Sequence, residues 1–136
     1  TNVVRLEPAF AERTQHVDIF LQVIGNKKVL LADYSANGNK RANEIMNQNL
    51  SILTQHGFEV HRVRQPGTIG INNDYAHISY INSLLIDKTI FLPAYGLNSD
   101  SDAIEDLQRA GLTTVPVKQD LPWFFGSIHC MTAASY

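Results

Sequence analysis

The chain carries one cysteine, Cys130, inside the run Ser127-Ile128-His129-Cys130-Met131-Thr132. Taken alone, a cysteine in an apolar strand is more often a small buried hydrophobe than a reactive group. With no partner for an internal disulfide, it also fits a reducing compartment or a thiol kept for its reactivity. His16-Val17-Asp18 supplies an imidazole and a carboxylate two residues apart. On a strand these share a face, although an exposed strand start with solvated polar groups is the plainer alternative. Beside a thiol, the pair would suit attack of a thiolate on a planar cationic carbon. The imidazole would act as acid to the leaving amine and then as base for water, while the carboxylate holds the cation. His129 adjoins Cys130, but strand alternation would send the two side chains to opposite faces, which makes it a poor direct partner.

Other chemistries find less support. His16 and Asp18 could ligate a metal, with His56, His61, His77 and His129 in reserve, but no recognised ligand spacing is present. Gly67-Thr68-Ile69-Gly70 lacks the spacing and context of a phosphate loop. Asn49-Leu50-Ser51 matches a glycosylation sequon but falls on an expected helix. At 136 residues, with 44% hydrophobic and 18% charged, the chain suits one globular domain, and a net charge of -2 with scattered basic residues gives no face for nucleic acid or anionic lipid. No stretch reads as a signal peptide or membrane span, so a cytoplasmic placement is expected.

The elements that must position these groups come in two copies. Val17, Ile19, Leu21 and Val23 alternate, Gly25-Asn26 supplies a turn and Val29-Leu30-Leu31 begins a second run, which predicts a β-hairpin. Ile45, Met46, Asn49, Leu50 and Leu53 share one face of a helix over about 39–56, with Gly57 at its left-handed C-cap. A short strand holding Phe58, Val60 and Val63 completes a ββαβ unit over about 16–66. The order recurs over about 79–117: a hairpin from Tyr80–Ile86 and Thr89–Pro93, a helix over about Asp102–Ala110 with Glu105 set for a capping box, then Leu112–Val117. Lys28–Tyr34 aligns with Thr89–Tyr95, and Gly57–Val60 with Gly111–Thr114. A third unit opens at 127–136, so a single partial α/β domain of about two and a third units is expected. Asp18, Asn82 and Cys130 fall in the successive first strands. If the units surround an axis, these positions meet near it.

His16-Val17-Asp18, Ser79-Tyr80-Ile81-Asn82-Ser83-Leu84, Phe91-Leu92-Pro93-Ala94-Tyr95-Gly96 and Ile128-His129-Cys130-Met131-Thr132 resemble, in order and spacing, successive motifs of the agmatine deiminase and bacterial peptidylarginine deiminase family. The resemblance implies a pentein-like propeller of five ββαβ units with the active site on its axis. By position it implies Cys130 as nucleophile, His16 as general acid/base, Asp18 as one of two carboxylates gripping a guanidinium, and Asn82 as an active-site asparagine. It implies no metal or organic cofactor and a small-molecule or peptide guanidinium substrate, converted to a ureido product and ammonia.

Two departures stand out. The second guanidinium-binding acid and the acid that orients the histidine have no counterpart here. The loop before the cysteine, glycine-rich in typical agmatine deiminases, reads Pro122-Trp123-Phe124-Phe125-Gly126. The leading expectation is therefore the C-terminal portion of a deiminase, inactive by itself and completed by N-terminal units. The alternative is a non-catalytic remnant that binds or assembles, for instance with a second copy.

Overall fold

Val29-Leu30-Leu31-Ala32 is apolar at every position, a pattern that only a strand covered on both faces tolerates. In the computed structural model, which describes residues 3–10, 15–66, 68–71, 74–119 and 127–132, these four side chains are 0–1% exposed. They lie in β2 (Lys28–Asp33), the centre of a sheet with β1 (Leu21–Gly25) antiparallel on one side and β3 (Glu59–Arg64) parallel on the other. Helix α1 (Lys40–Gln55) makes the crossover from β2 to β3. A short antiparallel pair follows, β4 (Thr68–Ile71) with β5 (Asp74–His77). The second three-stranded sheet then repeats the first connectivity: β6 (Leu84–Ile86) antiparallel to β7 (Thr89–Ala94), helix α2 (Ser99–Arg109), and β8 (Thr113–Lys118) parallel to β7.

The likeness between the sheets extends to single hydrogen bonds. Glu59 N donates to Lys27 O and Thr113 N to Lys88 O, while Gln65 N donates to Asp33 O and Gln119 N to Ala94 O. Both helices end on a left-handed glycine, Gly57 at φ 76° and Gly111 at φ 82°. In each the glycine N–H and the next one turn back to the last helical carbonyls: Gly57 to Thr54 and Phe58 to Leu53, Gly111 to Gln108 and Leu112 to Leu107. This paired closure satisfies carbonyls that would otherwise be orphaned, and it starts the parallel strand at a fixed angle. Helix α1 buries Ala42, Ile45, Met46, Asn49 and Leu53, and Asn39 caps it by accepting from Ala42 N. Asn49 is fully buried, exchanging hydrogen bonds with the backbone N–H and C=O of Glu7, so the sequon it belongs to is closed to glycosylation.

The structure differs from the sequence expectation in four places. Residues Val17–Ile19 form a 3-10 turn, and the first strand begins only at Leu21. Ile19 and Phe20 are both buried, 4% and 3% exposed, and a half-covered strand cannot turn two consecutive side chains inward. Of the expected strand at 80–86 only Leu84–Ile86 remains, because side chains take over the backbone groups before it. Gln65 Oε1 accepts from Tyr80 N and Ser79 Oγ from Ile81 N. Helix α2 starts at Ser99, three positions earlier than expected, and Glu105 closes no capping box. The carboxylate of Asp100 instead gathers the N–H groups of Tyr95, Gly96 and Leu97 ahead of the helix. Finally, His129–Met131 form a 3-10 turn where a strand was expected.

An arginine at the end of β3 ties the first sheet to the helix of the second. Arg64 reaches Asp102 at 3.0 Å, Glu105 at 2.9 Å and Asp106 at 2.8 Å, all on α2, and these acids hold the guanidinium firmly in its charged form. Asp106 is nearly buried and also accepts from Arg64 N, so truncating the arginine would leave this carboxylate, among the described residues, with only the exposed Arg109 and a backbone N–H as partners. Arg64→Ala is therefore expected to lower the urea midpoint clearly. Arg41→Ala, which breaks an exposed pair with Glu44, should leave the midpoint within error.

Candidate active site

Three segments that are not strands converge at one end of the sheets: the 3-10 turn with Asp18, the stretch 79–83 with Asn82, and the 3-10 turn with Cys130. The buried amide of Asn82 ties them together. Its Nδ2 donates to Asp18 Oδ2 at 2.9 Å and to Cys130 Sγ at 3.0 Å. Its Oδ1 accepts from Ser127 N at 2.7 Å and Cys130 N at 3.3 Å, and its own carbonyl accepts from His129 N. The thiol completes a triangle by donating to Asp18 Oδ2 at 3.2 Å.

Behind this arrangement lies a buried polar layer. Ser79 Oγ donates to the carbonyl of Ile19, the residue after Asp18, at 2.6 Å. Gln65, 3% exposed at the end of β3, fixes Tyr80 N and returns its own amide to Val63 O. Tyr95 OH donates to Ser79 O, and its ring packs 5.6 Å from that of Tyr80. Gln22 and Ser83 exchange two hydrogen bonds and so bind β1 to the entry of β6. Each polar atom named here has a partner, which is the condition for such a layer to be rigid rather than costly.

The electrostatics follow from the contacts. Burial by itself would raise the Asp18 carboxyl, but hydrogen bonds from His129 and Cys130 and the nearby charges of His129 and His16 hold it below its ordinary value. Burial pushes the Cys130 thiol up, and its bond to the Asp18 anion pushes it further, while the Asn82 N–H and a hydrogen bond with the Ser127 backbone pull the other way. The resting site is a carboxylate faced by a neutral thiol.

Asp18, Asn82 and Cys130 meet, although none of them sits in a strand. Cys130 is exposed, so the buried-hydrophobe reading fails. His16 is exposed at the start of its turn, near enough to Asp18 for its charge to stabilise that carboxylate. His129 was expected to point away from the site and does not: its Nδ1 lies 2.8 Å from Asp18 Oδ2, because a 3-10 turn lets adjacent side chains converge where a strand separates them. Only the adjacency of His129 to Cys130 could have signalled this, since a run of six residues does not distinguish strand from turn. Among the described residues no group of three or more His, Cys, Asp or Glu side chains is arranged to hold a metal ion. The aromatic loop 122–126 and positions 133–136 lie outside the described residues. A cleft of about 1130 Å³ opens beside the site between β1 and β6, lined by Asp18, His129, Gln22, Leu84 and Ile86 among others. No helix among the described residues is long and apolar enough to cross a membrane.

This mixed α/β fold is that of the deiminases. It matches the agmatine deiminase of C. jejuni with a TM-score of 0.70 at 16% identity, covering 85% of this chain and 36% of that one. It matches the agmatine deiminase of Enterococcus faecalis with a TM-score of 0.72 at 21% identity, covering 84% and 38%. A third structure, of a protein assigned as a peptidyl-arginine deiminase, gives 0.76 at 21% identity, covering 90% and 39%. The chain thus spans less than two-fifths of the length of each. The family model of the Porphyromonas-type peptidyl-arginine deiminases matches residues 2–135, and the chain belongs to that family. No curated protein matches it.

The opposing influences on Cys130 can be separated by its alkylation with iodoacetamide as a function of pH. The midpoint is expected above that of free cysteine. Asp18→Asn, which removes the facing anion, should lower it, and Asn82→Ala, which removes the stabilising N–H, should raise it. A midpoint unmoved by Asp18→Asn would mean that the thiol and carboxylate do not interact in solution.

Proposed function

We propose that this chain is the part of a guanidine-hydrolysing deiminase that carries the nucleophile, Cys130, the acid/base, His16, and one of the carboxylates that grip the cation, Asp18. The observation that carries the reading is the single amide of Asn82, which holds a thiol 3.2 Å from an ionised carboxylate. A planar cation bound to that carboxylate brings its electrophilic carbon to the sulfur. The cation also reverses the local field, since a positive charge beside Cys130 favours the thiolate that Asp18 disfavours.

In the proposed reaction the Cys130 thiolate adds to the guanidinium carbon, and the bond from that carbon to one terminal nitrogen breaks. His16 delivers a proton to the departing ammonia and then takes one from water. The water oxygen bonds to the same carbon, the carbon–sulfur bond breaks, and the ureido product leaves with the thiolate restored. None of these steps calls on a metal or an organic cofactor.

The repeated connectivity and the cover of less than two-fifths of the solved deiminases support placing the chain as about two and a third units of a five-unit propeller, with units near 16–66, 79–117 and 127–136. The remaining units would supply the second carboxylate and the rest of the pocket. Agmatine and peptidyl arginine both fit the site chemistry, and a free thiol suits the cytoplasm.

A guanidinium held by one carboxylate in an open cleft lacks most of the preorganised charge that stabilises the transition state. The chain alone is therefore expected to release no ammonia from agmatine or from an arginyl peptide. It should still react with 2-chloroacetamidine, an amidinium alkylating agent, faster than with the neutral chloroacetamide, and Asp18→Asn should abolish the preference. Equal rates with both reagents in the unaltered chain would overturn the catalytic reading in favour of a binding or assembly module.

A further inference from the structure

The oxygen on which the proposed function depends is already crowded. Asp18 Oδ2 receives Asn82 Nδ2 at 2.9 Å, Cys130 Sγ at 3.2 Å and His129 Nδ1 at 2.8 Å. A whole carboxylate has about four acceptor positions across its two oxygens, so three donors on one of them exceed its ordinary share. A guanidinium binds a carboxylate best through two parallel N–H bonds, one to each oxygen, and Oδ2 must shed a donor to accept it.

The three donors differ in how readily they can leave. Asn82 is buried and held by Ser127 N, Cys130 N and His129 N, so it stays. The thiol withdraws its proton only by becoming the nucleophile. The His129 side chain is 48% exposed, and both it and Asp18 line the cleft of about 1130 Å³, which gives the ring room to swing.

Resting on the functional reading above, we infer that His129 is an internal occupant of the guanidinium seat, its imidazole standing on Asp18 where the head group of the substrate must bind, so that every substrate must first displace it. The ring imitates its competitor: it is planar, it presents an N–H along the same line and, when protonated, it carries the same charge. It keeps Asp18 ionised and oriented while the site is empty, and it weakens the apparent affinity for any cation by the strength of the contact it surrenders. His129 is thus a residue that sets substrate affinity without taking part in bond making.

The test uses this chain, in which a single cysteine makes mass-spectrometric readout of alkylation unambiguous. Protection of Cys130 from iodoacetamide is titrated with Nα-acetylarginine methylamide in the unaltered chain and in His129→Ala, His129→Gln and Asp18→Asn. Self-occupation predicts that His129→Ala protects at about tenfold lower ligand concentration, the equivalent of losing one charge-assisted hydrogen bond to a competitor. His129→Gln, which keeps an N–H donor without the charge, should give a smaller gain. If His129→Ala needs as much ligand as the unaltered chain, or more, while Asp18→Asn abolishes protection, the inference falls and the functional reading stands. If no form shows protection that depends on Asp18, both fall together.

Discussion

The candidate site depends on the geometry of one buried amide. A primary amide offers two N–H donors and a two-lone-pair acceptor in one plane, and Asn82 uses the donors on a carboxylate and a sulfur and the acceptor on two backbone N–H groups of the cysteine turn. No other side chain of this length does the same. Aspartate would face Asp18 with a second anion and lose both donors, and glutamine would push the amide forward by one methylene into groups already at contact distance. The cost of burying the amide is offset because its donors and acceptor all find partners.

An amide can bridge three segments only if each arrives at a fixed place, and the repeated connectivity provides that. The two glycine closures set the start of each parallel strand, and the matching backbone bonds at Lys27 and Lys88 show that they set it alike. Between the sheets, Arg64 clamps α2 from the end of β3, while the adjacent Gln65 turns inward to Tyr80. One dipeptide therefore fixes both the spacing of the two sheets and the height of the Asn82 stretch. Ser79 then binds the carbonyl beside Asp18 to that same stretch, so a movement of either sheet is transmitted to the site.

What could be read from the sequence, and what could not, divides along the same line. Features governed by local chemistry are legible: the apolar run Val29–Ala32, the amphipathic face of α1 and the left-handed Gly57. Asp18, Asn82 and Cys130 do meet, but from turns and an irregular stretch rather than from the first strands in which the sequence pattern puts them. Features governed by side chains distant in sequence are not legible. The strand expected at 80–86 is shortened by Gln65 and the start of α2 is moved by Asp100. Periodicity carries no record of either. The same limit explains His129, since an alternation rule applied to a segment that folds as a turn sends the ring to the wrong side. The pairing of β4 with β5 is not legible because each strand is four residues long, too few positions to establish a period.

The direction of the electrostatics gives this constellation its functional sense. A thiol meant for attack is usually drawn toward its anion by neighbouring positive charge, yet here burial and Asp18 both press Cys130 toward its neutral form. In a purely structural role that bias would have no purpose, and a small apolar side chain would serve better. On the proposed function it has one. The carboxylate that suppresses the thiolate in the empty site is the group a guanidinium neutralises on arrival, so the nucleophile is released from its restraint by the cation it is to attack. On that reading the occupied site favours the thiolate more than the empty one does.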